Sequence, residues 1–125
     1  MLKLFIIGSG GFTGAILRYL VSGLVYRFPG TANFPYGTLV VNMVGCFFIG
    51  LGGGVMENRQ LFSPEARSFI FIGLLGSFTT FSTFALESFN LTRDGQMLGT
   101  ASNLIVHILL GLLMVWLGNV LSRIM

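Results

Sequence analysis

The sequence predicts an all-α integral membrane protein with four transmembrane helices per subunit. Two observations carry that prediction. Only 9% of the 125 residues are charged while 54% are hydrophobic, and the apolar residues gather into four runs long enough to cross a bilayer. A soluble domain is about 25% charged, because its surface faces water. With a mean hydropathy of +0.86, this chain lacks the charge to solvate a globular surface. Lipid is its natural solvent.

A hydrocarbon core about 30 Å thick needs about 20 mainly apolar residues in a helix. The expected spans are Leu4 to Tyr26, Tyr36 to Met56, Ser68 to Phe89 and Leu98 to Ile124. Polar connections separate them: Arg27 to Pro35 with Pro29 and Asn33, Glu57 to Arg67 with Pro64, and Thr92 to Gln96. The first run follows Met1-Leu2-Lys3 in the outline of a signal peptide. It is long for that role and carries Gly8, Gly10, Gly11 and Gly14, so it reads as a retained span. Ser63-Pro64-Glu65 reads as an N-cap followed by proline in the first helical position, which starts a helix there. The whole of residues 1–125 reads as a single transmembrane domain.

Glycine spacing predicts how the spans pack. Gly10 and Gly14 share one helix face, as do Gly50 and Gly54. In lipid, helices associate through close backbone approach at small residues, so tight packing is expected at both pairs.

Charge narrows the function. A net charge of +3 and a pI near 9.6 resemble a nucleic-acid binder, yet the basic residues stand singly, with no stripe to neutralise successive phosphates. No nucleic-acid partner is expected; these are flanking charges of membrane spans. Cys46 is the one cysteine, so no intrachain disulfide forms. With four spans, Lys3, Arg59, Arg67 and Arg123 share one side, while Arg27 and Arg93, with Arg18 near that end, lie on the other. Positive-inside bias is therefore weak, which permits insertion in both orientations and an antiparallel, dual-topology homodimer.

Intramembrane ionisable groups mark ion pathways or relays by default. Here they are Glu87 near the end of the third span, Arg18 in the first and His107 in the fourth. They form no carboxylate pair, metal cluster or nucleophilic triad, so no enzyme activity is expected. His107 fits a hydrogen-bonded packing role as well as a relay. The informative stretch is Gly76-Ser77-Phe78-Thr79-Thr80-Phe81-Ser82-Thr83-Phe84, hydroxyl-rich within an apolar span. β-Branched Thr, backbone-competing Ser, and Gly73 and Gly76 weaken a helix there, so a mid-span break in the third helix is expected. Unwound backbone at membrane depth is tolerated where protein buries it or a wet cavity meets it, and its free carbonyls can coordinate a monovalent cation. Phe78, Phe81 and Phe84 recur every third residue. Such a stripe is either packing or a set of positive ring edges for a small anion. Asn42, near the start of the second span, is either interhelical glue or an amide donor in the same path.

Three stretches resemble the Fluc/CrcB fluoride channels: Gly14-Ala15-Ile16-Leu17-Arg18-Tyr19, Gly37-Thr38-Leu39-Val40-Val41-Asn42 with Gly45, and Gly76 through Phe84. Length, four spans and weak charge bias agree, so the resemblance covers essentially the whole chain. It implies a passive fluoride channel in the cell inner membrane, built as an antiparallel homodimer with two pores. It also implies a structural Na⁺ at the dimer centre, held by backbone carbonyls of Gly76 and Thr79. Phe81 and Phe84 would be pore phenylalanines, Asn42 a pore amide, Ser82 and Thr83 hydroxyl ligands, and Arg18 the arginine that draws anions to the vestibule. The fourth span departs from the family pattern, with Gly111 and Val115 in place of hydroxyls. His107 falls where relatives carry a polar aromatic.

Two alternatives make different demands. A small dual-topology, proton-coupled drug antiporter needs a membrane-embedded carboxylate, which the first span lacks. A structural subunit of a larger complex would transport nothing alone.

Overall fold

The computed structural model describes residues 1–28, 30, 33–59 and 62–125, the side chains of residues 58 and 59 excepted. The described residues are helical and contain no strand. The helices are α1 (Leu2–Val25), α2 (Tyr36–Arg59), α3 (Pro64–Arg67), a π-helical segment (Ser68–Leu75), α4 (Gly76–Phe78), α5 (Phe81–Arg93) and α6 (Met97–Ile124). Four stretches are long and apolar enough to span a membrane: Leu2–Val25, Tyr36–Glu57, Pro64–Arg93 and Met97–Ile124. The chain is a multi-pass membrane protein. Pro29 and the side chain of Arg59, both weighed above, lie outside what is described.

The third stretch is longer than its apolar run because α3 leads into it without a gap. Ser63 caps α3 as the sequence predicts, its Oγ accepting from the Ala66 amide at 3.1 Å with Pro64 next in line. The π segment has no counterpart in the sequence reading. Its backbone meets α1 at glycines, Gly73 of the π segment lying against Gly10 and the Ile7 carbonyl. A Cβ on Gly10 would stand 2.5 Å from the Phe69 carbonyl oxygen, and one on Gly14 would collide with the Leu74 carbonyl and Ser77 Oγ. Ser77 Oγ donates to the Gly11 carbonyl at 2.7 Å, which fastens the seam.

α2 and α6 form the most extensive helix pair. Gly50 lies against the Val115 carbonyl, Gly54 against Ser122, and Gly118 against the Phe47 carbonyl. Close approach at small residues holds this pair as it holds α1 to the π segment. The fully buried side chains include Asn103 and Ser122, whereas Phe5, Leu112 and Trp116 face outward. That arrangement suits a lipid solvent, which rewards satisfying polar groups inside and leaves apolar ones outside.

Candidate functional site

Helical hydrogen bonding lapses after α4. Thr79 (φ −80°, ψ 157°) and Thr80 (φ −149°, ψ 116°) are extended, and α5 restarts at Phe81. Asn42 of α2 fills the gap. Its Nδ2 donates to the Thr80 carbonyl at 3.1 Å, and its Oδ1 accepts from the Thr80 amide at 2.9 Å. One side-chain amide thus substitutes for both missing backbone partners. Thr80 also caps α5, its Oγ1 accepting from the Thr83 amide at 3.2 Å and donating to Thr83 Oγ1 at 3.0 Å. Gly45, one turn along α2, leaves the space that the Thr79 methyl occupies.

The same bonds release two carbonyls. In a continuous helix the amides of Thr80 and Thr83 would return to the carbonyls of Gly76 and Thr79. Here they serve Asn42 and the Thr80 hydroxyl instead. Carbonyl oxygens freed at a helix interruption are the donors that suit a monovalent cation, so Gly76 and Thr79 fit a Na⁺ chemically. Among the described residues no group of three or more His, Cys, Asp or Glu could hold a metal ion.

Two cavities flank the interruption, and Thr80 lines both. The larger, of about 470 Å³, gathers Arg18, Tyr19, Ser22, Thr38 and Thr83. The other, of about 370 Å³, gathers Asn42, Gly76, Thr79, Phe81, Phe84 and His107. The residues singled out in the sequence are therefore divided, with Arg18 and Thr83 on one side of the Asn42–Thr80 pair and the aromatic set on the other. Ser82 is exposed and stands 3.3 Å from Thr80 Oγ1. Phe84 is buried and central: its ring lies 5.6 Å from Phe81 and 4.3 Å from His107, centroid to centroid. Phe81 is 78% exposed, so one face of the aromatic cluster is open in a single chain. Gly111 lies beside Cys46 and Met43, and Val115 carries its carbonyl against Gly50. Both positions serve the α2–α6 seam.

At the edge of the larger cavity, Thr38 Oγ1 donates to Glu87 Oε1 at 2.7 Å. Glu87 shares a cleft with Tyr26, Asn90 and Asp94. Tyr26 follows the last turn of α1. Burial and then the Glu87 carboxylate raise its phenol above the usual range, while a backbone hydrogen bond to Gly37 lowers it in part. Sequence reasoning missed Thr80 as the hub and Asn103 as a buried amide. The signal for Thr80 was the Thr-x-x-Thr run ahead of an apolar helix, an N-cap pattern.

The third span is thus interrupted, lined with amide, hydroxyl and aromatic groups, and flanked by two cavities. The sequence pattern described as CrcB-like protein, Camphor Resistance (CrcB), matches residues 5–119. The chain is 46% identical to the fluoride-specific ion channel FluC 1 of Methanosarcina acetivorans, over 96% of this chain and 90% of that one. It is 45% identical to the fluoride-specific ion channel FluC of Maridesulfovibrio salexigens, over 98% and 97%, and 40% identical to FluC 3 of Methanosarcina barkeri, over 98% and 91%. The chain belongs to the CrcB family of fluoride-specific ion channels, a family of transport proteins rather than enzymes.

Proposed function

We propose that this chain is the subunit of a passive, fluoride-selective channel that carries F⁻ out of the cell across the inner membrane. The observation that carries the reading is the Asn42–Thr80 exchange at the interruption. It holds backbone open beside an aromatic cavity while keeping every group of the lock hydrogen-bonded. The anion path follows Asn42, Phe81, Ser82, Thr83, Phe84 and His107, with Arg18 concentrating anions in the outer cavity. Phe81 and Phe84 turn positive ring edges toward the ion, and hydroxyl and amide hydrogens replace its lost water. No fixed cation lines the inner cavity among the described residues. With no permanent cation there, an ion can leave as readily as it enters, which conduction requires.

The working unit is an antiparallel homodimer with two pores. The exposed Phe81 ring and exposed Gly76 support it, because a pore wall with an open side needs a second subunit to close it. A structural Na⁺ sits at the dimer centre on the carbonyls of Gly76 and Thr79 from each subunit. Such a cation would balance the negative ends of the carbonyl dipoles that the interruption leaves free.

The test is efflux from liposomes of purified protein, with fluoride or chloride trapped. Rapid fluoride efflux, chloride retention, and loss of flux by tenfold or more in Phe81→Ile are expected. Equal fluoride and chloride efflux, or no fluoride efflux from folded dimer, would overturn the reading.

A further inference from the structure

His107 is the chain's single histidine, and its surroundings define what it can offer an ion. Nδ1 lies 3.0 Å from the backbone carbonyl of Asn103. A carbonyl oxygen only accepts, so Nδ1 carries the hydrogen and Nε2 of the neutral ring is a bare lone pair. Nε2 is buried without a partner among the described residues. The ring lines the inner cavity and stacks on Phe84.

The neighbouring amide points to the same deficit. Ser88 Oγ donates to the Phe84 carbonyl at 2.8 Å, so it can only accept from Asn103 Nδ2, 2.9 Å away. The amide orientation follows from that chain, and Asn103 Oδ1 is left as a second buried, unpartnered acceptor. The two polar atoms on this stretch of α6 thus lack donors, not acceptors. Unpartnered buried polar atoms ask for a missing water, ion or proton.

Fluoride cannot supply what is missing, because it too only accepts. A neutral His107 would face the anion lone pair to lone pair. One proton on Nε2 turns the contact into a charge-assisted hydrogen bond. We propose that His107 meets fluoride as the imidazolium, donating Nε2–H to the anion, so that a proton is taken up from solvent when fluoride occupies this position. The inference rests on the channel reading above and adds a proton-linked contact to it.

The other ionisable groups near the ring are few. α2 brings Cys46 to the same cavity. α5 brings Glu87, held by Thr38, and α1 places Arg18 in the neighbouring cavity. The π segment and α4 carry no ionisable side chain, and α6 carries none besides His107 until Arg123. His107 is therefore the group in this cavity that can take a proton on a free ring nitrogen.

Because the histidine is single, ¹⁵N-histidine spectra of tag-free protein in detergent report on it alone. The expected neutral state carries its proton on Nδ1. Fluoride at about tenfold its dissociation constant should raise the titration midpoint by roughly one unit, as linkage requires when binding favours the protonated ring; equal chloride should leave it in place. An Nε2-protonated neutral tautomer, or a midpoint that fluoride does not move, would overturn the proposal. Fluoride efflux from the same preparation separates the two claims. Flux with an unmoved midpoint removes His107's role and keeps the channel, whereas no flux removes the channel reading itself.

Discussion

At the scale of single residues, the interruption of the third span rests on replacing lost hydrogen bonds one for one. Extended backbone at Thr79 and Thr80 would strand an amide and a carbonyl inside the protein, and Asn42 meets both with one planar group. No other side chain offers a donor and an acceptor in that fork without charge, except the longer glutamine. Asn42→Ala should therefore leave both Thr80 groups bare, at a cost of about 1–3 kcal/mol for each unsatisfied group. A lowered unfolding midpoint in detergent, together with loss of fluoride efflux, is the expected result. Unchanged stability would mean that water serves Thr80 as well as Asn42 does. Asn42 was legible in the sequence as an amide that needs a partner in a span, because an unpaired one is expensive there. Its partner was not legible. Thr80 lies on another helix, and only tertiary contact brings the two together. The same holds for Arg18, which the motif singles out but which lines a different cavity from the phenylalanines.

At the scale of elements, four spans were legible within a few residues because bilayer thickness sets run length and the chain obeys it. The Ser63 cap was legible for a similar reason, since its chemistry is local. The π segment was not. Ser-Phe-Ile-Phe-Ile-Gly-Leu-Leu has the composition of any apolar helix, and what distinguishes it is the bare face of α1 at Gly10 and Gly14. The glycines announced a close approach without announcing which backbone would widen to meet it. Gly45 links two elements in the same way, its missing side chain making room for Thr79. Gly45→Val should push Thr79 out of place and destabilise the fold by about 1–3 kcal/mol, the usual effect of overpacking. It should reduce fluoride efflux far more than a valine at Gly8 or Gly53, which meet open space. Equal effects at all three positions would show that α2 does not shape the interruption.

At the scale of the whole molecule, a single chain leaves its own site open. Phe81 projects from the surface, and the aromatic set has one wall where a pore needs two. In the proposed antiparallel pair, the weak charge bias across the spans would let the chain insert both ways and meet its inverted copy. A reporter fused to the C-terminus should give signal from both compartments, and adding lysines at one end should bias it to one side. Signal from a single compartment in the unmodified chain would exclude the antiparallel pair. Lys3, Pro64 and Glu65 line one cleft, so the first and third spans begin at the same end, as an even number of crossings between those ends requires. The proposed assembly passes fluoride, and little else, down its electrochemical gradient. The most direct test is the reversal potential of purified protein in a planar bilayer with a fluoride gradient, opposing chloride and an imposed pH difference. Reversal at the fluoride equilibrium potential is expected, whatever the chloride or proton gradient. Reversal that follows protons would make the protein a coupled transporter, and reversal near zero would make it an unselective pore.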